Sequence, residues 1–178
     1  MTGFEYQVAG HMIWEGMVQE GLAIVRAIHD RYHAARRNPW NEVECGDHYA
    51  RAMASYGAFI AACGYEYHGP KGHLAFAPRL SPENFRAPFT SAEGWGTFSQ
   101  KREGGAQQEK IELKHGILRL RTLAFQHPEG FSSAIANVTV AGKEIASTAI
   151  AKGSRLELGL AEPVLLEAGQ SLEIKIFR

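Results

Sequence analysis

The sequence predicts an α+β chain, a helical hairpin followed by an antiparallel β-rich C-terminal region. Apolar residues from Phe4 to Cys63 recur at helical spacing. From His73 onward the apolar spacing falls to two, and a turn-rich link, His68 to His73 (HGPKGH), separates the two regimes.

In the first regime Phe4, Val8, Met12, Met17, Leu22, Val25, Ile28 and Tyr32 fall mostly three to five positions apart, which predicts one long helix. Gly10, Gly16 and Gly21 each weaken a helix by about 1 kcal/mol relative to Ala, so their presence calls for a packing reason such as close helix approach. Asn38 and Pro39 end that region, because proline lacks a backbone donor and biases its predecessor away from helix. A loop is expected from Trp40 to Gly46. Asp47 suits an N-cap, and Tyr49, Met53, Tyr56, Ile60 and Cys63 form a single stripe on a second helix that stops at Gly64. A helix pair this apolar needs further helices to pack against.

In the second regime Leu74 to Ala77, Trp95 to Gln100, Lys110 to Lys114, Ile117 to Leu123, Ile135 to Val140, Glu144 to Ile150, Arg155 to Leu160 and Ser171 to Phe177 read as strands. Tight hairpins are expected at Lys114 to Ile117 and at Ala141 and Gly142. About eight strands are enough for an antiparallel sandwich or for a sheet folded over the helices. Pro78, Pro82 and Pro88 mark an extended connecting region.

Composition excludes several functions. The 178 residues carry 19 Lys plus Arg against 19 Asp plus Glu, so no long-range positive field favours nucleic acid or an anionic membrane surface. Charged residues interrupt the most apolar stretch, Met1 to Tyr32, so no membrane span is expected. That stretch also lacks the basic start of a secretory leader. Two cysteines, Cys45 and Cys63, imply no disulfide framework, and a reduced, cytoplasmic setting is the expectation.

Polar chemistry concentrates in Asn38 to Arg51, NPWNEVECGDHYAR. Glu42, Glu44 and Asp47 offer acceptors, Arg51 a planar donor fork and His48 a titratable ring, while Trp40 and Tyr49 offer flat apolar surfaces. Sugars are held by that combination, with charged groups on the hydroxyls and an aromatic face on the C–H side of the ring. A capped helix with an Asp47–Arg51 surface pair accounts for the same residues without any ligand. Cys45 and His48 make one Cys/His pair where zinc sites gather roughly three or four ligands, so no metal is expected. No cofactor motif is present. A second cluster, Arg79 to Gly96, carries Glu83, Asn84, Arg86, Glu93 and Trp95, which could line a cleft or simply order a connector.

The run NPWNEVECGDHYARAMASYGAFIAACGYEYHGPKG, Asn38 to Gly72, resembles the late barrel segment of glycoside hydrolase family 116, the β-glucosidase and non-lysosomal glucosylceramidase group. FAPRL, ENF and EGWGTFSQ continue the likeness, and TGFEYQVAGHMIWEGM, Thr2 to Met17, is similar to the helix that precedes that segment. Residues 2 to about 100 are covered. The family usually has a Trp before the Thr-Gly pair, and Met1 stands there, so the resemblance implies that the N-terminal part of the enzyme is missing from this piece.

The resemblance implies that residues 1–72 are the end of an (α/α)6 catalytic barrel and 73–100 connecting loops and first strands, while strand pattern alone makes 101–178 an antiparallel β-rich region. It implies a retaining β-glucosidase whose nucleophile and acid/base lie in earlier segments, so no catalytic residue is assigned here and the chain alone is expected to be inactive. Glu42 and Arg51 match positions that hold sugar hydroxyls, with Glu44, Asp47 and His48 as possible supporting residues. The expected partners are a β-glucoside or other carbohydrate and the rest of the same enzyme. The alternative is a non-catalytic carbohydrate-binding or assembly module whose β half supplies the surface.

Overall fold

A computed structural model describes residues 2–33, 35, 52–128 and 135–177. The chain divides into two compact units, Met1–Gly64 and Tyr65–Arg178.

The first unit contains α1 (Thr2–Trp14), α2 (Val18–Arg31) and α3 (Ala52–Cys63). The single long helix expected from Phe4 to Tyr32 is two helices. Its break is a Schellman turn: Met17 N–H donates to Met12 C=O at 2.8 Å, Gly16 N–H donates to Ile13 C=O at 3.1 Å, and Gly16 takes φ +89°. Helix α1 packs against both α2 and α3. At the α1–α3 contact a Cβ on Gly10 would stand 3.7 Å from the Ala58 backbone, so small residues bring the two axes together.

The core of this unit is correspondingly small-sided, with Ala9, Ile13, Ile28, Ala58, Ala61 and Cys63 buried. Of the stripe expected on α3, Cys63 is buried, but Met53 is 75% exposed and Tyr56 40% exposed. Helix α3 ends at Gly64, whose N–H donates to Ala61 C=O.

Among the described residues the second unit holds ten strands: β1 (Glu66–His68), β2 (His73–Phe76), β3 (Asn84–Thr90), β4 (Gly94–Glu103), β5 (Ala106–Gln126), β6 (Ile135–Val140), β7 (Lys143–Ile145), β8 (Ser147–Lys152), β9 (Arg155–Glu167) and β10 (Ser171–Phe177). Strand β5 belongs to two sheets. Its first half lies between β4 and β10 in the order β3-β4-β5-β10-β6-β7, and its second half between β2 and β9 in the order β1-β2-β5-β9-β8. Inward residues of both sheets form one apolar core, including Phe76, Phe98, Ile111, Leu123, Phe125, Leu158 and Ile174. The Phe76 and Phe98 rings stack with centroids 3.9 Å apart.

These observations overturn the expected fold class. The chain is dominated by a mixed β structure in which β2 runs parallel to β5, and the three described helices form their own small unit. It is not a helical hairpin from an (α/α)6 barrel followed by a purely antiparallel region. The hairpin expected at Lys114 to Ile117 is absent too, because β5 runs through it. Gly116, at φ +77°, lets the strand pass the β4 backbone so closely that a Cβ there would overlap Glu93 C=O. The expected turn at Ala141 and Gly142 is present, with φ +47° and +80°, and joins β6 to β7.

One polar network penetrates the β core. Gln107 Nε2 donates to Glu109 Oε1 at 2.6 Å and to Gln126 C=O at 2.9 Å, and Arg102 Nε donates to Gln107 Oε1 at 2.7 Å. Burial holds the Glu109 carboxyl well above the ordinary carboxylate range, against the opposing effects of the Gln107 hydrogen bond and the Arg102 charge.

Candidate functional site

Among the described residues, the surface best equipped to hold a ligand lies where the β3–β4 turn meets the middle of β5. The turn is tightly built: Ser91 N–H and Ser91 Oγ both donate to Gly94 C=O, at 2.8 and 2.9 Å. Tyr65 Oη donates to Thr90 C=O at 2.6 Å, and Ile117 N–H donates to Glu93 C=O at 3.1 Å, which ties the turn to its neighbours. Gly94 and Gly116 are register partners, and no side chain fits between these backbones.

This close passage sets the side chains around it. Trp95 lies opposite His115 in the register, and their rings stack with centroids 6.3 Å apart and planes 22° apart. Trp95 is 50% exposed, so one apolar face of the pair is open to solvent. Beside it, Arg119 Nε donates to Glu93 Oε2 at 3.0 Å, with both side chains about half exposed. An indole face next to a carboxylate and a guanidinium is the set of groups a sugar ring needs: an apolar platform, acceptors and donors.

Beyond Arg119 the surface continues into a shallow cavity of about 270 Å³, lined by Gly69, Gly72, Arg119, Arg121, Pro163 and Leu165 among others. Gly72 C=O accepts from Arg121 N–H at 2.7 Å and from Thr122 N–H at 3.2 Å. These bonds fix the backbone that carries Arg121.

A second polar group sits at the β1–β2 edge. His73 Nδ1 and Thr122 Oγ1 are 2.8 Å apart, and His73 Nε2 is 3.9 Å from Glu66 Oε2. A hydroxyl, an imidazole and a carboxylate in series suggest nucleophile activation, but the Arg155 fork takes both Glu66 oxygens, at 2.8 and 3.1 Å. Glu66 is thereby held by Arg155 and not by the imidazole, so the group ties β1, β2 and β9 together. Burial is the main cause that lowers the His73 pKa below the ordinary histidine value, with the Glu66 charge opposing it.

The residues expected from sequence fare unevenly. Glu42, Glu44, Asp47, His48 and Arg51 lie outside the described residues. In the second cluster the structure brings Glu93 and Trp95 together, whereas Glu83 joins Arg102 at the opposite end of the β3–β4 pair. Sequence reasoning missed His115, Arg119 and Arg121. The first was assigned to a turn, and the other two occupy alternate positions of a strand read only for its apolar side. No described helix is long and apolar enough to cross a membrane. Among the described residues no group of three or more His, Cys, Asp or Glu side chains is gathered to hold a metal ion.

No protein-family model and no curated protein matches the chain. Among solved structures it is similar to α-L-rhamnosidase from Dictyoglumus thermophilum, a glycoside hydrolase, at 11% identity and a TM-score of 0.40. That likeness covers 74% of this chain and 14% of the rhamnosidase.

Proposed function

We propose that the chain is a carbohydrate-binding part of a glycoside hydrolase and contributes sugar contacts, not the catalytic carboxylate pair. The observation that carries this reading is the half-exposed Trp95 ring, stacked on His115 beside the Glu93–Arg119 pair. A pyranose laid on the indole would bury its C–H face and bring ring hydroxyls to the charged pair. The likeness of Asn38 to Gly72 to family 116 supports the hydrolase part of the proposal. On that likeness Glu42 and Arg51 clasp hydroxyls of the terminal sugar, with Glu44, Asp47 and His48 in support.

Calorimetric titration of the whole chain with cellotetraose tests the proposal. Binding is expected, and Trp95→Ala should weaken it at least about tenfold, the equivalent of roughly 1.4 kcal/mol, while circular dichroism stays unchanged. If the Trp95–His115 stack serves only as a cross-strand pair, the substitution lowers the melting temperature and no saccharide binds. That result would sink the reading.

A further inference from the structure

We infer that the saccharide taken by this surface is acidic, with a carboxylate held by Arg121 on a sugar unit further along the chain than the one on Trp95. The inference rests on the carbohydrate-binding reading above and adds the class of sugar.

The named wall of the cavity beyond Arg119 carries two guanidinium groups and no carboxylate. Arg119 is already matched by Glu93 at 3.0 Å, whereas Arg121 has no ion-pair partner among the described residues. The surface therefore carries a positive charge at Arg121 with no carboxylate among the residues that line the cavity.

The side chain is also preorganised. Arg121 sits in the register shift between Leu120 and Thr122; its N–H donates to Gly72 C=O at 2.7 Å, and a Cβ on Gly72 would stand 3.2 Å from Arg121 Cγ, so the His68–Gly72 turn packs against its stem. A planar fork held at its root and open at its tip suits bidentate recognition of a carboxylate. Leu165, 45% exposed and opposite Arg119 in the register, gives the same cavity an apolar wall for the sugar carbons. Arg121 follows Arg119 by two residues on β5, so a chain of linked sugars starting on Trp95 and passing the Glu93–Arg119 pair would reach it.

The test compares two probes that differ only in the acid: a β-1,4-linked glucuronic acid tetramer and its carboxyl-reduced counterpart, cellotetraose. The whole chain is titrated with each at low and high salt. The acidic tetramer should bind about tenfold more tightly at low salt, a margin in keeping with a charge-assisted bidentate contact, and the margin should shrink as salt screens it. Arg121→Gln should remove the difference between the two tetramers, while Trp95→Ala weakens both.

Equal affinity for the two tetramers overturns the inference and leaves the carbohydrate reading standing. If neither tetramer binds, that reading fails and the inference fails with it. A sulfated cellotetraose that binds while the glucuronic acid tetramer does not also overturns the carboxylate assignment.

Discussion

Replacing Glu109 by Gln should stabilise the β unit, increasingly so as the pH rises. The carboxyl is buried, accepts from Gln107 Nε2 at 2.6 Å, and has an Oε2 with no hydrogen-bond partner. Directly opposite it in the β4–β5 register is Gln100, whose Oε1 is also buried without a partner. A proton on Glu109 Oε2 would offer its cross-strand neighbour Gln100 a donor for Oε1, in keeping with a carboxyl held well above its ordinary range. The sign follows from linkage. An unfolded Glu releases its proton near about pH 4.3, whereas the folded one keeps it, so its stabilising contribution is complete below that pH and is lost as pH rises toward and through the folded value. Each pH unit above about 4.3 over which the folded carboxyl stays protonated costs about 1.4 kcal/mol. A glutamine amide makes the same two contacts without that cost. Urea unfolding followed by circular dichroism at pH 4 and pH 6 should show near-equal stabilities at the lower pH and an advantage for Glu109→Gln at the higher. A stability difference independent of pH would refute a protonated Glu109.

Further expectations follow from particular contacts. Glu109→Leu should be less stable than Glu109→Gln by about 1 to 3 kcal/mol at both pH 4 and pH 6, because Gln100 Oε1 is then buried with no donor available; parallel melts check this. Burial pushes the Cys63 thiol up to about 11, so native protein at pH 8 should leave Cys63 unalkylated by iodoacetamide until urea is added, as peptide mapping would report. The helical unit exposes Phe4, Val8, Met17 and Met53, so the chain should bind an apolar fluorescent dye, and replacing Val8 and Met53 by Gln should reduce the signal. The isolated chain should not hydrolyse a chromogenic β-glucoside. In a complete enzyme that contains this piece, Glu42→Gln or Arg51→Ala should cost about 2 to 4 kcal/mol in kcat/KM while the melting temperature changes little.

What the sequence disclosed depended on whether one physical signal dominated locally. Ser171 to Phe177 alternates cleanly between core and solvent, and it is β10 at the same bounds. Strand β3 was hidden by Pro88, which argues against a central strand; β3 pairs only with β4, so it is an edge strand, where a missing backbone donor is tolerated. Helix α3 misled for a different reason. Its large residues form a stripe by spacing, yet its buried face is built from Ala58, Ala61 and Cys63, because contact with α1 at Gly10 selects for small side chains. Of the candidate site, Glu93 and Trp95 were visible as residue types, but the partners that give them meaning come from β5.

Strand β5 also explains why the surface could not be assembled from local pattern. A hairpin at Lys114 to Ile117 would have placed His115 in a turn and Arg119 on a separate strand. In the continuous 21-residue strand His115 pairs with β4, Arg119 with β9, and Arg121 sits in the register shift between Leu120 and Thr122, so all three are carried by one backbone. The first half of that strand is fixed by β4 and β10, and the second by β9 and β2. Trp95 and Glu93 are brought to it by glycines that let two backbones touch, not by a flexible loop. The positions of these groups are therefore set by the same strand pairings that close the apolar core, and a ligand would meet a surface whose ordering cost is met during folding.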